Sequence, residues 1–151
     1  MDDDLDILTR TVYGESRGEP DLGRLAVAYV FCNRAAIAVR FVASHGRPHP
    51  LYGNGTVASA CRMPYQASCW NASDPNLIKL LTPPLEGDLM APCLWVAKAA
   101  LGETLPDPSC GATHYVTAMS PFEGTPWPPI WTHTMTLCAT IGGHLFYRAS
   151  G

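Results

Sequence analysis

Charge is scarce in this chain. Only 15% of its 151 residues are charged, the formal net charge is −3, and no block of lysines and arginines occurs. Nucleic-acid binding through a phosphate-tracking basic patch has no footing in such a sequence. Long apolar runs are missing as well. None reads as the ~20 residues that a membrane-spanning helix needs, so no membrane association is expected. The opening Met-Asp-Asp-Asp is acidic, whereas an export signal starts basic and continues apolar. Synthesis in the cytoplasm without a signal peptide is the resulting expectation. Metal-binding patterns are lacking too. His45, His49, His114, His133 and His144 form no HExxH and no HxH followed by an acid, and the cysteines form no CxxC. No metal or other cofactor is therefore expected. Cysteine itself is sparse. Cys32, Cys61, Cys69, Cys93, Cys110 and Cys138 read as free, buried thiols in an unexported chain. Cys61 and Cys69 are near enough in sequence for a disulfide in an oxidising compartment, which is the alternative reading. Internal repeats, linkers and low-complexity tracts are absent.

What is present is apolar and punctuated. Apolar residues make up 47% of the chain, which also holds 14 prolines and 13 glycines. This is a globular composition with short elements joined by ordered loops. Residues 3–14 read as a helix: acidic residues stand at its start, and Leu5, Leu8 and Val12 share one face. Residues 21–39 read as a second helix, apolar nearly all round and so destined for the middle of the fold. Residues 43–59 read as loop, and 56–61 as a short strand or helical turn. A short helix covers 75–81 and a clear one 92–101. Strands are expected at 112–116, 134–141 and 145–147, the last two around Gly142-Gly143. The economical architecture is α+β, mainly helical, one domain over residues 1–151 with a small β part. With little charge and no long amphipathic surface helix, a monomer is the default.

Chemistry concentrates in Thr11-Val12-Tyr13-Gly14-Glu15-Ser16-Arg17-Gly18-Glu19. Glu15 falls three residues after Val12 and seven after Leu8, on the apolar face if the helix reaches it. Burial raises a carboxyl pKa, and a glutamic acid kept protonated near neutral pH is a good general acid. Cutting a glycosidic bond needs such a proton donor. The competing reading has Glu15 capping the next helix or pairing with Arg10 or Arg17, as most surface carboxylates do. Glu19 is the second candidate, either an acid/base partner or a charge favoured ahead of a helix start. Tyr65, Trp70, Tyr115, Trp127 and Trp131 offer faces on which sugars stack, and Gln66, Asn71 and Thr113 offer bonds to hydroxyl or acetamido groups. Core or loop anchoring is the ordinary use of such rings, so only a minority are expected to touch substrate. A cysteine paired with His114 or His144 would instead make a peptidase.

The run Leu8 to Pro20 resembles the signature of SleB-type cell-wall hydrolases, the spore-cortex-lytic enzymes and their bacterial and phage relatives. The likeness continues in Gly23 to Ala28, Asn33-Arg34, Pro64 to Asn71, Gly111 to Tyr115 and Ile141 to Tyr147. The resemblance implies a lysozyme-like catalytic domain acting on peptidoglycan glycan strands, with Glu15 as the catalytic acid. It also implies lytic transglycosylase chemistry, in which the muramic C6 hydroxyl displaces the leaving sugar and leaves a 1,6-anhydro end. A hydrolytic muramidase would need a second carboxylate, for which Glu19, Asp74 and Asp107 are available. Arg17, Tyr65, Gln66, Trp70, Asn71, Thr113, His114 and Tyr115 are the expected substrate-binding residues. The absence of a signal and of a separate wall-binding module suits a phage or prophage endolysin that reaches the wall through a holin. A catalytically silent wall-binding domain is the reading from a different class.

Overall fold

The computed structural model describes residues 3–64 and 67–150. Helix α1 spans Asp3–Ser16 and α2 spans Asp21–His45. Three shorter helices follow: α3 at Val57–Arg62, α4 at Leu77–Leu81 and α5 at Ala91–Leu101. Strands β1 at His114–Thr117, β2 at Met135–Ile141 and β3 at His144–Ala149 close the chain. Single 3-10 turns occur at Ser68–Trp70 and Ile130–Thr134. The α+β, mainly helical reading agrees with this arrangement.

Helix α1 carries three acidic residues in its first turn, Asp3, Asp4 and Asp6, where the helix dipole favours them. Its hydroxyl residues do not compete with the helix, because they bond back into it. Thr9, Thr11 and Ser16 each donate to the carbonyl four residues earlier, at 2.7, 2.7 and 2.8 Å. Leu8 and Val12 are completely buried. Arg10 ties the outer face of α1 to the end of α4 by donating to the carbonyls of Leu80 and Pro83, both at 2.9 Å.

Helix α2 is the rod around which the others pack. It touches α1, α3, α5 and the first two strands. Its buried residues Leu25 to Phe31 face every direction, and the larger ones, Leu25, Val27, Val30 and Phe31, each contribute ~1.5–3 kcal/mol. The sequence reading ended this helix at 39 and began a loop at 43. The helix runs on to His45, where Gly46 takes the left-handed conformation (φ 67°) and donates its N–H to the Val42 carbonyl. By length and composition, α2 is apolar enough to cross a membrane, which corrects the expectation that no run is long enough. Most of its apolar surface is covered by neighbouring helices instead. Residues 57–62 are helical and not a strand. Thr56 caps them by accepting the Ser59 N–H at 3.1 Å.

The sheet has the order β1-β3-β2, all antiparallel. A bulge between Leu137 and Ala139 shifts the β2 register. Period-two alternation separates two faces of this sheet. Tyr115 and its partner Phe146 turn toward the helices, where Tyr115 meets Phe31 edge-on at 6.5 Å. His114 and its partner Tyr147 share the other face, and Trp131 packs against both.

Candidate active site

A cleft of about 630 Å³ opens where the end of α1 meets the edge of the sheet. Glu15, Arg34, Ser68, His114, Tyr115, Trp131, Thr134 and Met135 line it. Glu15 is the next-to-last residue of α1, and the apolar stripe Leu8–Val12 aims it inward, as its spacing requires. Arg10 and Arg17, the partners that a surface role would supply, are engaged elsewhere. Arg10 bonds Asp6 at 2.7 Å, and the Arg17 guanidinium lies over the Tyr13 ring at 5.0 Å.

Burial is the main influence on Glu15 and raises its pKa above the ordinary carboxyl value. Three groups oppose burial by favouring the charged form: a hydrogen bond from the Tyr115 phenol, the Arg34 charge and a backbone bond from Ser68. The Asp74 carboxylate acts in the same direction as burial. Burial and Glu15 together hold the Tyr115 phenol well above its usual value, so it remains a hydrogen-bond donor. Replacing Tyr115 with phenylalanine removes an interaction that favours the charged acid. The pKa of Glu15 then rises further. In a pH–rate profile, the alkaline limb of Tyr115→Phe should move to higher pH while the maximal rate falls severalfold. An unmoved limb would separate Tyr115 from the acid.

Arg34 is buried on α2. Its Nε donates to the Thr113 carbonyl at 2.7 Å, and its guanidinium stands 5.0 Å from the Phe31 ring. It thereby fixes the start of β1 and presents positive charge to the cleft. His114, also on the wall, is pushed down to about 4, chiefly by burial and then by Arg34. It is a neutral imidazole at working pH. Its Nδ1 lies 3.0 Å from Thr113 Oγ1.

The other expected site residues divide. Thr113, His114 and Tyr115 come to the cleft or directly behind it. Trp70 turns away from it: its indole N–H donates to Thr11 Oγ1 at 2.7 Å, and Arg62 covers its ring at 5.6 Å. Asn71 is exposed and closes the 3-10 turn with its backbone N–H on the Ser68 carbonyl at 3.0 Å. Arg17 borders a smaller hollow of about 70 Å³ that shares Ser68 with the main cleft and also contains Asp74. Tyr65 and Gln66 lie outside the described residues. Glu19 is absent from the described cleft lining and accepts the Gly143 N–H at 2.7 Å, 124 residues away. Asp107 is occupied in a turn, where it accepts from Ser109, Gly111 and Asn33. Arg34, Ser68, Thr134 and Met135 were not among the expected site residues. Arg34 had a usable signal, a charge in a helix apolar nearly all round.

All six cysteines are free. Burial pushes Cys32 and Cys61 up to about 12 and Cys93 up to about 11, and none of the six lines the main cleft. Thiols held protonated are poor nucleophiles. Among the described residues, no three histidine, cysteine or acidic side chains converge as metal ligands.

Comparison with known proteins adds to this geometry. Residues 10–91, just over half the chain, match the profile of a family described as a domain of unknown function (DUF7742). No protein of curated function matches the sequence. Among solved structures, the catalytic domain of the Bacillus cereus SleB protein superposes with a TM-score of 0.63 at 25% identity, covering 97% of this chain and 90% of that one. The catalytic domain of the germination-specific lytic transglycosylase SleB from Bacillus anthracis gives a TM-score of 0.63 at 25% identity, covering 98% and 96%.

Proposed function

We propose, for a chain that belongs to the DUF7742 family and is built like the SleB catalytic domains, that it is a peptidoglycan-lytic enzyme, a lytic transglycosylase with Glu15 as its acid. The observation that carries this reading is the single buried carboxyl in the cleft. Among the described residues, Glu15 is the only carboxylate lining it, and burial favours its neutral form. A general acid must hold a proton at working pH.

The chemistry needs one such group. Glu15 gives its proton to the oxygen linking N-acetylmuramic acid to N-acetylglucosamine, and the C1–O bond breaks. The muramic C6 hydroxyl bonds to its own C1, and its proton goes to the Glu15 carboxylate. The acid is restored, no water is consumed, and the product carries a 1,6-anhydro ring. Tyr115 and the Ser68 N–H stabilise the carboxylate between the two transfers, and Arg34 adds positive charge nearby. The Trp131 ring, on the open side of the cleft, is suited to stacking against a sugar face.

Asp74 supports a second reading. Its charge reaches Glu15 across the Ser68 wall, and a hydrolytic muramidase would use it to activate water. Mass spectrometry of a digest of purified peptidoglycan separates the two. Anhydro-muropeptides are the expected result. Reducing muramic ends without anhydro sugar would establish the hydrolase, and new amino termini would remove both.

A further inference from the structure

We infer that Glu19 is a positioning residue for Glu15, acting through the β2–β3 turn, His144 and Tyr115. This inference rests on Glu15 being the acid. Glu19 follows Glu15 by four residues, in the bend between α1 and α2, and Arg24 holds that bend by donating to the Glu19 and Arg17 carbonyls. From there its carboxylate reaches the opposite end of the sequence. Glu19 Oε1 accepts the Gly143 N–H at 2.7 Å and stands 3.0 Å from His144 Nδ1. His144 Nδ1 makes no hydrogen bond among the described residues, so the Gly143 N–H supplies the directional contact.

The turn is shaped to receive that carboxylate. A Cβ on Gly142 would come within 2.8 Å of Glu19 Oε1, and one on Gly143 within 3.4 Å of Oε2. Gly142 also has φ of 55°, a left-handed conformation that side chains disfavour. His144 is buried beyond the turn and meets the Tyr115 ring edge-on, with centroids 5.3 Å apart and planes at 81°. Tyr115 in turn lines the same cleft as Glu15, and its phenol favours the charged form of that carboxyl. The contacts form a closed circuit: Glu15, along the chain to Glu19, across to Gly143 and His144, onto Tyr115 and back to Glu15. The acid is held at one end by its own helix and at the other by a ring whose place depends on Glu19. Because Glu19 does not line the cleft, it acts through these neighbours and not on substrate.

The test compares Glu19→Ala, Glu19→Gln and Glu15→Gln with the parent on soluble, uncrosslinked glycan strands, at a temperature where all four are folded by circular dichroism. Glu19→Ala removes the acceptor for Gly143. It should lower kcat about tenfold, within the ~10²-fold that a 1 Å misplacement of a catalytic group can cause, and leave KM nearly unchanged. The alkaline limb of its pH profile should move up, as the Tyr115 bond to Glu15 weakens. The charged and titratable groups that face Glu15 are Arg34, Asp74, Tyr115 and Cys69, and none of them is altered in this variant. Glu19→Gln retains an oxygen for Gly143 and should recover most of kcat. Parent kcat and an unmoved limb in folded Glu19→Ala would overturn the inference. So would a loss as deep as that of Glu15→Gln with no rescue by Glu19→Gln, which would make Glu19 catalytic. Full activity in Glu15→Gln would instead remove the functional reading itself, whatever the Glu19 variants do.

Discussion

Glu15→Gln should release soluble fragments from peptidoglycan about 10²–10⁴-fold more slowly than the parent, the range that a positioned general acid contributes. Glutamine matches the size of the neutral acid and keeps an oxygen acceptor beside Tyr115 and Ser68, so the cleft keeps its shape and only the proton is lost. The same substitution should change stability in the opposite direction. The Glu15 pKa is raised in the folded protein above its ordinary value of 4.5. Its stabilising contribution is therefore complete below the unfolded-state value and is lost as pH rises through the folded-state value. Glutamine does not ionise and escapes that loss. At pH 4 the variant and the parent should melt together, and at pH 8 the variant should melt higher. Thermal melts at the two pH values check this. A variant that melts lower at pH 8 would show that Glu15 ionises comfortably in the fold and is no acid at working pH.

Gly14→Ala should be damaging in spite of its small size. Alanine normally strengthens a helix by ~1 kcal/mol relative to glycine. Here the added Cβ would lie 2.7 Å from the Cys69 Cβ and 2.9 Å from its sulfur, with Leu80 at 3.1 Å. Cys69 is buried and belongs to the 3-10 turn Ser68–Trp70, so relief requires that turn to move away from α1. Overpacking of this kind costs about 1–3 kcal/mol, which outweighs the helix gain over most of that range. The displaced turn also carries Ser68, which lines the cleft with Glu15, so activity should fall by up to about 10²-fold. A double-mutant cycle gives the sharpest test. In a Cys69→Gly background the obstructing Cβ is gone, and Gly14→Ala should become neutral or stabilising. In a Cys69→Ala background the Cβ remains and the damage should persist. Equal effects in both backgrounds would mean that the close approach of Cys69 is not the cause.

Gly14 and Gly18 each precede a carboxylate by one residue, Glu15 and Glu19, yet they differ in what stands beside them. Gly14 leaves room for Cys69. Gly18 alone of the two faces open space. The difference was not legible because the Cys69 contact joins residues 55 positions apart, and nothing local marks it. What the sequence made legible was periodic. Leu8, Val12 and Glu15 share a helical face whether or not the fold is known, and the all-round apolar helix went to the core. The Gly142-Gly143 turn between strands was equally readable. Positions whose role depends on distant partners escaped. Trp70 resembles a sugar platform until its N–H is seen on Thr11. Arg34 looks like one polar point on an apolar helix until the Thr113 carbonyl, 79 residues on, is placed against it. Glu19 resembled a helper to Glu15 because four residues separate them, yet its carboxylate bonds the far end of the chain.

The position of β3 carries a consequence for how the enzyme comes into being. It is the central strand of the sheet, yet it is the last element in the chain. Strands β1 and β2 pair only with β3 and not with each other. While a ribosome is still adding residues 144–149, the helices can already pack, since α1 to α5 all end by Leu101. The wall bearing His114 and Tyr115 has no partner to fold onto until that last strand emerges. Glu15 is made well before that strand, and its cleft closes only once residues 144–149 have emerged. A nascent chain, or one cut short before residue 144, therefore carries Glu15 without the sheet wall of its cleft.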